Sequence, residues 1–137
     1  MGKFGNVAVE ATRRLSSAED TDPREAWRSA AQFLLGYSPS MMRKNCPRSA
    51  YLGLCELGLV EGAPRGRWIK SDDNKLYAQR AVRALRHDPT WLERPTLLWH
   101  EVSLSLTKTQ NNQIDVVFAL WRERLITDEF IPAEVSG

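Results

Sequence analysis

Cysteine and histidine are scarce in this sequence, two of each, and that scarcity excludes several chemistries at once. Cys46 and Cys55 fall in one apolar stretch that reads as a helix. Nine residues separate them, which is about 13 Å along an axis rising ~1.5 Å per residue. That distance is too long for a disulfide, and it keeps the two sulfurs from sharing one zinc ion. His87 and His100 both lie in the other half of the chain, so the sequence assembles no thiol–imidazole pair. Phosphate loops, dinucleotide fingerprints and nucleophile elbows are absent. No apolar run approaches the roughly 18 residues of a membrane span. The N-terminus lacks the apolar core of a secretory signal, and Asn6 stands where a myristoylation pattern needs Ser or Thr. The expected compartment is the cytoplasm, with no membrane partner, no metal and no cofactor.

A strong overall charge is missing too, since 19 basic residues stand against 17 acidic ones for a net +2. The distribution is uneven, however. Between Arg43 and Lys70 the chain carries six basic residues (Arg43, Lys44, Arg48, Arg65, Arg67, Lys70) and only two acidic ones, Glu56 and Glu61. A patch of one sign is therefore expected on the surface.

What the sequence does have is apolar material: 42% of 137 residues, with five Trp. That is enough for a single domain with a core of its own and argues against disorder. Two stretches organise it, Cys46 to Val60 and a fainter echo from Asn112 to Ile126. In the first, Pro47 suits an opening helical position with Cys46 or Asn45 as cap. Ala50, Leu54 and Leu57 line one face, flanked by Tyr51, Leu52 and Cys55, and Gly58 is the expected left-handed stop. In the second, Asn111 or Asn112 caps, Asp115 sits in the first turn, and Ile114, Val117, Phe118 and Trp121 carry the stripe. Helices this apolar are expected to be buried on most sides.

Four more helices follow from periodicity and stop signals. Phe4, Val7, Ala8, Ala11 and Leu15 mark the first. Asp22-Pro23-Arg24-Glu25 starts a second that ends at Gly36. Ser71-Asp72-Asp73 opens one carrying Tyr77, Ala78, Ala81, Val82 and Leu85, and Arg94-Pro95 opens another with Leu98, Trp99 and Val102. Glu61 to Lys70 is dense in Gly and Pro and reads as a turn, with Leu59–Glu61 and Trp68–Lys70 able to pair as a small hairpin. Ser103 to Thr109 alternates as a strand would. From Phe130 to Gly137 a fraying tail is expected.

The two halves correspond. Ala8, Ala11 and Leu15 lie over Ala78, Ala81 and Leu85 at an offset of 70, Pro23 and Trp27 over Pro95 and Trp99 at 72, and Leu54 and Leu59-Val60 over Leu120 and Leu125-Ile126 at 66. The expected architecture is all-α: one helical domain over residues 1–137, about six helices in two pseudo-repeated three-helix units at about 3–62 and 71–128, a small β-hairpin near 59–70, and the tail. Any two trios of amphipathic helices can also be slid into partial register, so the correspondence alone leaves duplication open.

The run CPRSAYLGLCELGLVEG, with NNQIDVVFALWRERLI downstream, resembles a family of small bacterial proteins classed as a domain of unknown function. The likeness covers most of the chain and implies no activity. A weaker likeness is to winged helix-turn-helix modules, carried by Leu54, Leu57, Gly58, Leu59, Val60, Gly62, Arg65, Gly66, Arg67 and Trp68. There the sequence departs from the pattern. The loop from Gly36 to Asn45 has about ten residues where a helix-turn-helix uses three or four, and the apolar third helix offers little to base edges.

Function is read from what remains. Glu19-Asp20-Asp22 and Asp72-Asp73 sit where helices begin, and the helix dipole accounts for them. Cys46, at a helix start beside Arg43, Lys44 and Arg48, has the surroundings of a reactive thiol. A Cys46-dependent activity is carried as the third reading, behind a structural role. The first is a noncatalytic binding module whose surface comprises Arg43, Lys44, Arg48, Arg65, Arg67, Trp68 and Lys70. Nucleic acid, held by its phosphate backbone, stands slightly ahead of an acidic protein partner. The second is a protein-interaction or inhibitor module, a class that includes a homodimer and a phage or mobile-element protein that blocks a host complex. The plain alternative for the Arg65–Lys70 loop is a solvated turn with Trp68 packed on the core.

Overall fold

The structure is a computed structural model and describes residues 2–36, 45–70 and 73–134. Arg43 and Lys44 lie outside the described residues. Six α-helices are described: α1 (Lys3–Ser16), α2 (Pro23–Leu35), α3 (Asn45–Glu56), α4 (Asp73–His87), α5 (Pro95–Ser103) and α6 (Gln113–Arg122), with a 3-10 turn at Pro89–Glu93 ahead of α5. The all-α expectation holds.

Leu34 of α2 is exposed and Trp121 of α6 is only partly buried, but α1 and α4 bury the whole stripe their sequences predict. On α1 this is Phe4, Val7, Ala8, Ala11 and Leu15, and on α4 it is Tyr77, Ala78, Ala81, Val82 and Leu85. Asp22 caps α2 by accepting from the Arg24 N–H at 2.8 Å. The two apolar stretches form the centre of the core. In α3 every residue from Ser49 to Cys55 is buried, and in α6 the same is true from Val116 to Leu120. α3 packs most extensively on α4, and α6 on α1. The third helix of each expected unit is thus covered chiefly by the first helix of the other. Tyr51 is fully buried on α3 and places its hydroxyl 2.9 Å from Thr12 Oγ1. Thr12 itself donates to the Ala8 carbonyl at 2.8 Å, so Tyr51 is the donor in that pair and no polar atom is left without a partner.

α3 and α6 end alike. After α3, Gly58 takes the left-handed conformation (φ 73°), its N–H donates to Cys55 O at 3.1 Å, and the Leu59 N–H reaches Leu54 O at 3.0 Å. After α6, Arg124 (φ 59°) and Leu125 repeat this with Trp121 O and Leu120 O at 3.1 and 2.9 Å. The two chain ends then pair with each other. Val60 and Ile126 form an antiparallel bridge in which Glu61 N–H donates to Leu125 O and Thr127 N–H to Leu59 O, both at 2.9 Å. Each of these bonds maps onto the other at the 66-residue offset, so residues 59–61 and 125–127 are related by a local twofold. Elsewhere the halves differ: α2 has 13 residues and α5 nine.

Three local expectations are corrected. The hairpin between Leu59–Glu61 and Trp68–Lys70 does not form, because the backbone groups on either side of Val60 are already paired with residues 125–127. The amides of Trp68 and Ile69 go instead to the Glu56 carboxylate, a stronger charge-assisted acceptor. Ser103–Thr109 is not a strand. α5 stops at Leu104 (φ 55°), and Ser105 Oγ accepts from the N–H groups of Thr107 and Lys108 at 3.1 and 3.0 Å to make a local turn. The cap of α6 comes from the Gln110 side chain, which accepts from the Ile114 N–H at 3.1 Å, while Asn112 makes no side-chain cap.

The described part of the C-terminal segment, up to Glu134, lies against α4. Arg80, Arg83 and Arg86 stand one turn apart on α4 and hold it in sequence. Arg80 pairs with Glu134 at 2.7 Å, Arg83 donates to Pro132 O, and Arg86 donates to Thr127 O at 2.7 Å, and Ile131 of this segment is buried.

Candidate anion-binding cleft

Four basic side chains converge on one concave surface. Arg48 comes from the first turns of α3, Arg67 and Lys70 from the strap at residues 64–70, and Arg24 from the start of α2. Together with Trp68 they line a cleft of about 1100 Å³. Lys75 of α4 and Glu56 at the end of α3 complete the wall.

Glu56 builds this wall. Its Oε1 accepts from the backbone N–H groups of Trp68 and Ile69 at 2.6 and 3.1 Å, and its Oε2 accepts from Lys75 Nζ at 2.9 Å. The strap is thereby tied to α3 and α4 by one carboxylate. Trp68 locks the strap further by donating Nε1–H to Pro64 O at 3.0 Å. The ring lies so close over Gly66 that a Cβ there would fall 2.6 Å from it. Arg24 lies over the same aromatic, with its guanidinium 5.2 Å from the ring centroid.

Electrostatically the cleft is short of negative charge. Lys75 is neutralised by Glu56, and Arg24 is paired with Asp22 at 2.7 Å. Among the described residues Arg48, Arg67 and Lys70 enter no ion pair. Arg48 is half-buried, and its desolvation, followed by the positive charge of Arg24, pushes its guanidinium below the ordinary arginine value. Asp22, already bonded to Arg24, offsets this only in part, and a half-buried guanidinium with no ion-pair partner among the described residues is one that an incoming anion would stabilise.

Arg65 turns away. It pairs with Glu129, and its guanidinium lies against Gly58, so it braces the strap against the C-terminal segment. Of the seven side chains expected at the site, the structure brings Arg48, Arg67, Trp68 and Lys70 together, and Arg65 stands outside. Arg24 and Lys75 were not anticipated, because each sits on a helix whose own pattern explains it. The sequence did carry a signal for Glu56, the one acid on an otherwise apolar helix inside a basic stretch.

The pH response of Glu56 follows from its partners. Burial raises its pKa, but the bonds from Lys75 and from the Ile69 and Trp68 amides more than reverse this, and the net value lies below that of a free glutamate. A depressed folded-state pKa contributes stability that is present above the unfolded value of about 4.3 and is lost as pH falls through the folded value. As pH falls below the range of a free glutamate, hydrogen exchange at the Trp68 and Ile69 amides, taken relative to its intrinsic rate at each pH, is therefore expected to accelerate before the helices melt. Exchange that speeds up in step with the α6 amides would refute a local release.

The cysteines sit in unlike surroundings. Cys46 is partly exposed at the start of α3, whereas Cys55 is wholly buried and its thiol is pushed up by that burial. Native protein at pH 8 is expected to take one equivalent of a thiol-disulfide reagent, at Cys46, and a second only on unfolding. Two fast equivalents would contradict the packing of α3. Among the described residues no group of three or more His, Cys, Asp or Glu is placed to hold a metal ion, and no helix is long and apolar enough to cross a membrane.

Fold and cleft together define a small all-α protein whose concave basic surface is walled by one helix end and a carboxylate-anchored strap. Residues 1–127 match a family described as a family of unknown function (DUF6979), and the chain belongs to that family. No curated protein and no solved structure matches it.

Proposed function

We propose that the protein is a noncatalytic binding module that holds a nucleic acid by its phosphate backbone in the cleft between α3 and the strap at residues 64–70. The supporting observation is the convergence of Arg24, Arg48, Arg67 and Lys70 on one concave surface, three of them without a carboxylate partner among the described residues. Phosphate oxygens would take the place of that missing charge, and a guanidinium fork suits them well. The apolar character of α3 favours backbone contact over the reading of base edges.

Titration with a short duplex, and with its single strand, at two salt concentrations tests the reading. If four cations each meet a phosphate, the salt slope for a duplex is about −3.6, and raising salt from about 50 to 200 mM weakens binding about a hundredfold. Absence of binding even at the lower salt would overturn the nucleic-acid reading and direct attention to an acidic protein surface as the occupant of the same cleft.

A further inference from the structure

A second pocket lies in the other half of the molecule, at the end of α6. Its floor is apolar and comes from three separate elements: Leu92 of the 3-10 turn, Trp121 of α6 and Ile126 of the bridge. Arg86, Arg122 and Arg124 surround this floor, with a volume of about 450 Å³. That lies within the range of ligand-holding sites. The negative end of α6 accounts for a cation at Arg122, but it does not account for Arg86, which reaches in from α4. Arg86 is oriented by its bond to Thr127 O at 2.7 Å, and Arg122 lies 5.6 Å from the Phe118 ring. None of the three forms an ion pair among the described residues, and the single acid on the rim is Asp128.

The backbone beside the pocket narrows the choice of occupant. In the bridge, the Leu125 carbonyl accepts from Glu61 and the Thr127 N–H donates to Leu59, so the N–H and C=O of Ile126 point to the opposite edge. Neither group has a hydrogen-bond partner among the described residues. A strand edge one residue long, beside an apolar floor with three guanidiniums at the rim, matches an extended chain with acidic residues alternating with apolar ones. We infer that this pocket is a docking site for an extended acidic–apolar peptide segment of a partner protein. The segment adds to the Ile126 edge, sets an apolar side chain on Trp121 and Leu92, and presents carboxylates to the arginines.

The test uses the full chain and a fluorescein-labelled peptide of alternating Glu and Leu, with the same peptide in Gln and Leu as control. Saturable one-to-one binding of the Glu peptide is expected, with the Gln peptide at least about tenfold weaker. Arg122→Glu combined with Arg124→Glu is expected to weaken the Glu peptide by about tenfold or more, while Arg48→Gln with Arg67→Gln leaves it unchanged. Should the double reversal fail to fold, Arg122→Gln alone, on an exposed position, is expected to weaken binding about threefold. No saturable binding, equal binding of the Gln control, or dependence on Arg48 and Arg67 in place of Arg122 and Arg124 would each overturn the proposal. The last outcome would place the acidic peptide in the cleft between α3 and the strap, whereas the first two would leave the reading of that cleft untouched.

Discussion

Replacing Gly53 by alanine is expected to destabilise the protein by about 2 kcal/mol, against the usual benefit of removing a glycine from a helix. Two effects compete at this position. Alanine's better helix propensity is worth about 0.5–1 kcal/mol. Against it, an added Cβ would fall 2.5 Å from Lys75 Cβ and 2.7 Å from Lys75 Cα. A flexible side-chain tip could move away, but a Cα carries the helix with it. α3 and α4 must therefore separate at their main contact, and overpacking of this kind costs about 1–3 kcal/mol. The upper part of that range applies because the obstacle is backbone. Urea unfolding should show a lower midpoint with an unchanged slope, and Gly53→Val should lower it further. A midpoint equal to or above that of the parent protein would mean that the two helices do not approach as described. Because Lys75 also holds Glu56, the same substitution should loosen the strap at residues 68 and 69 before the rest of the fold.

The second large effect is on binding. Arg48→Gln together with Arg67→Gln removes two of the four cations proposed to meet phosphate. The salt slope for a duplex should fall by about 1.8 and the affinity at moderate salt by about tenfold or more. The distinguishing prediction is on stability. Arg48 is half-buried and sits beside a like charge, Arg24, so its neutral replacement is expected to leave the melting temperature unchanged or raise it. A residue whose loss weakens binding while sparing or improving the fold is one kept for a ligand. If the double variant melts well below the parent protein and binds duplex normally, these arginines are structural and the cleft is not the binding surface.

The fold was legible in the sequence to the extent that its information is local. Apolar spacing placed all six helices. Pro23 behind Asp22 and Pro95 behind Arg94 marked two starts, and Gly58 marked one stop. The burial of α3 and α6 followed from the near absence of polar residues on any face. The offset of 66 residues anticipated that Leu59-Val60 and Leu125-Ile126 would have similar surroundings. It did not anticipate that they would pair with each other, since the pattern of a strand names no partner. The hairpin at 59–70 was misread for that reason: a Gly- and Pro-rich turn between extended pieces satisfies the local rule, while residues 125–127 and the Glu56 carboxylate were nearer and better acceptors and donors.

The candidate site divides in the same way. The excess of basic residues from Arg43 to Lys70, with Trp68 among them, is visible in the sequence because charge and aromatic content are properties of the chain. Only the tertiary structure decided that Arg24 joins this surface, that Arg65 leaves it for Glu129, and that Glu56 ties the strap to α3 and α4. The physical reason is the range of the interactions. Helix propensity and periodicity act over a few residues, whereas an ion pair or a strand bridge depends on which distant groups the packed helices bring within about 3 Å.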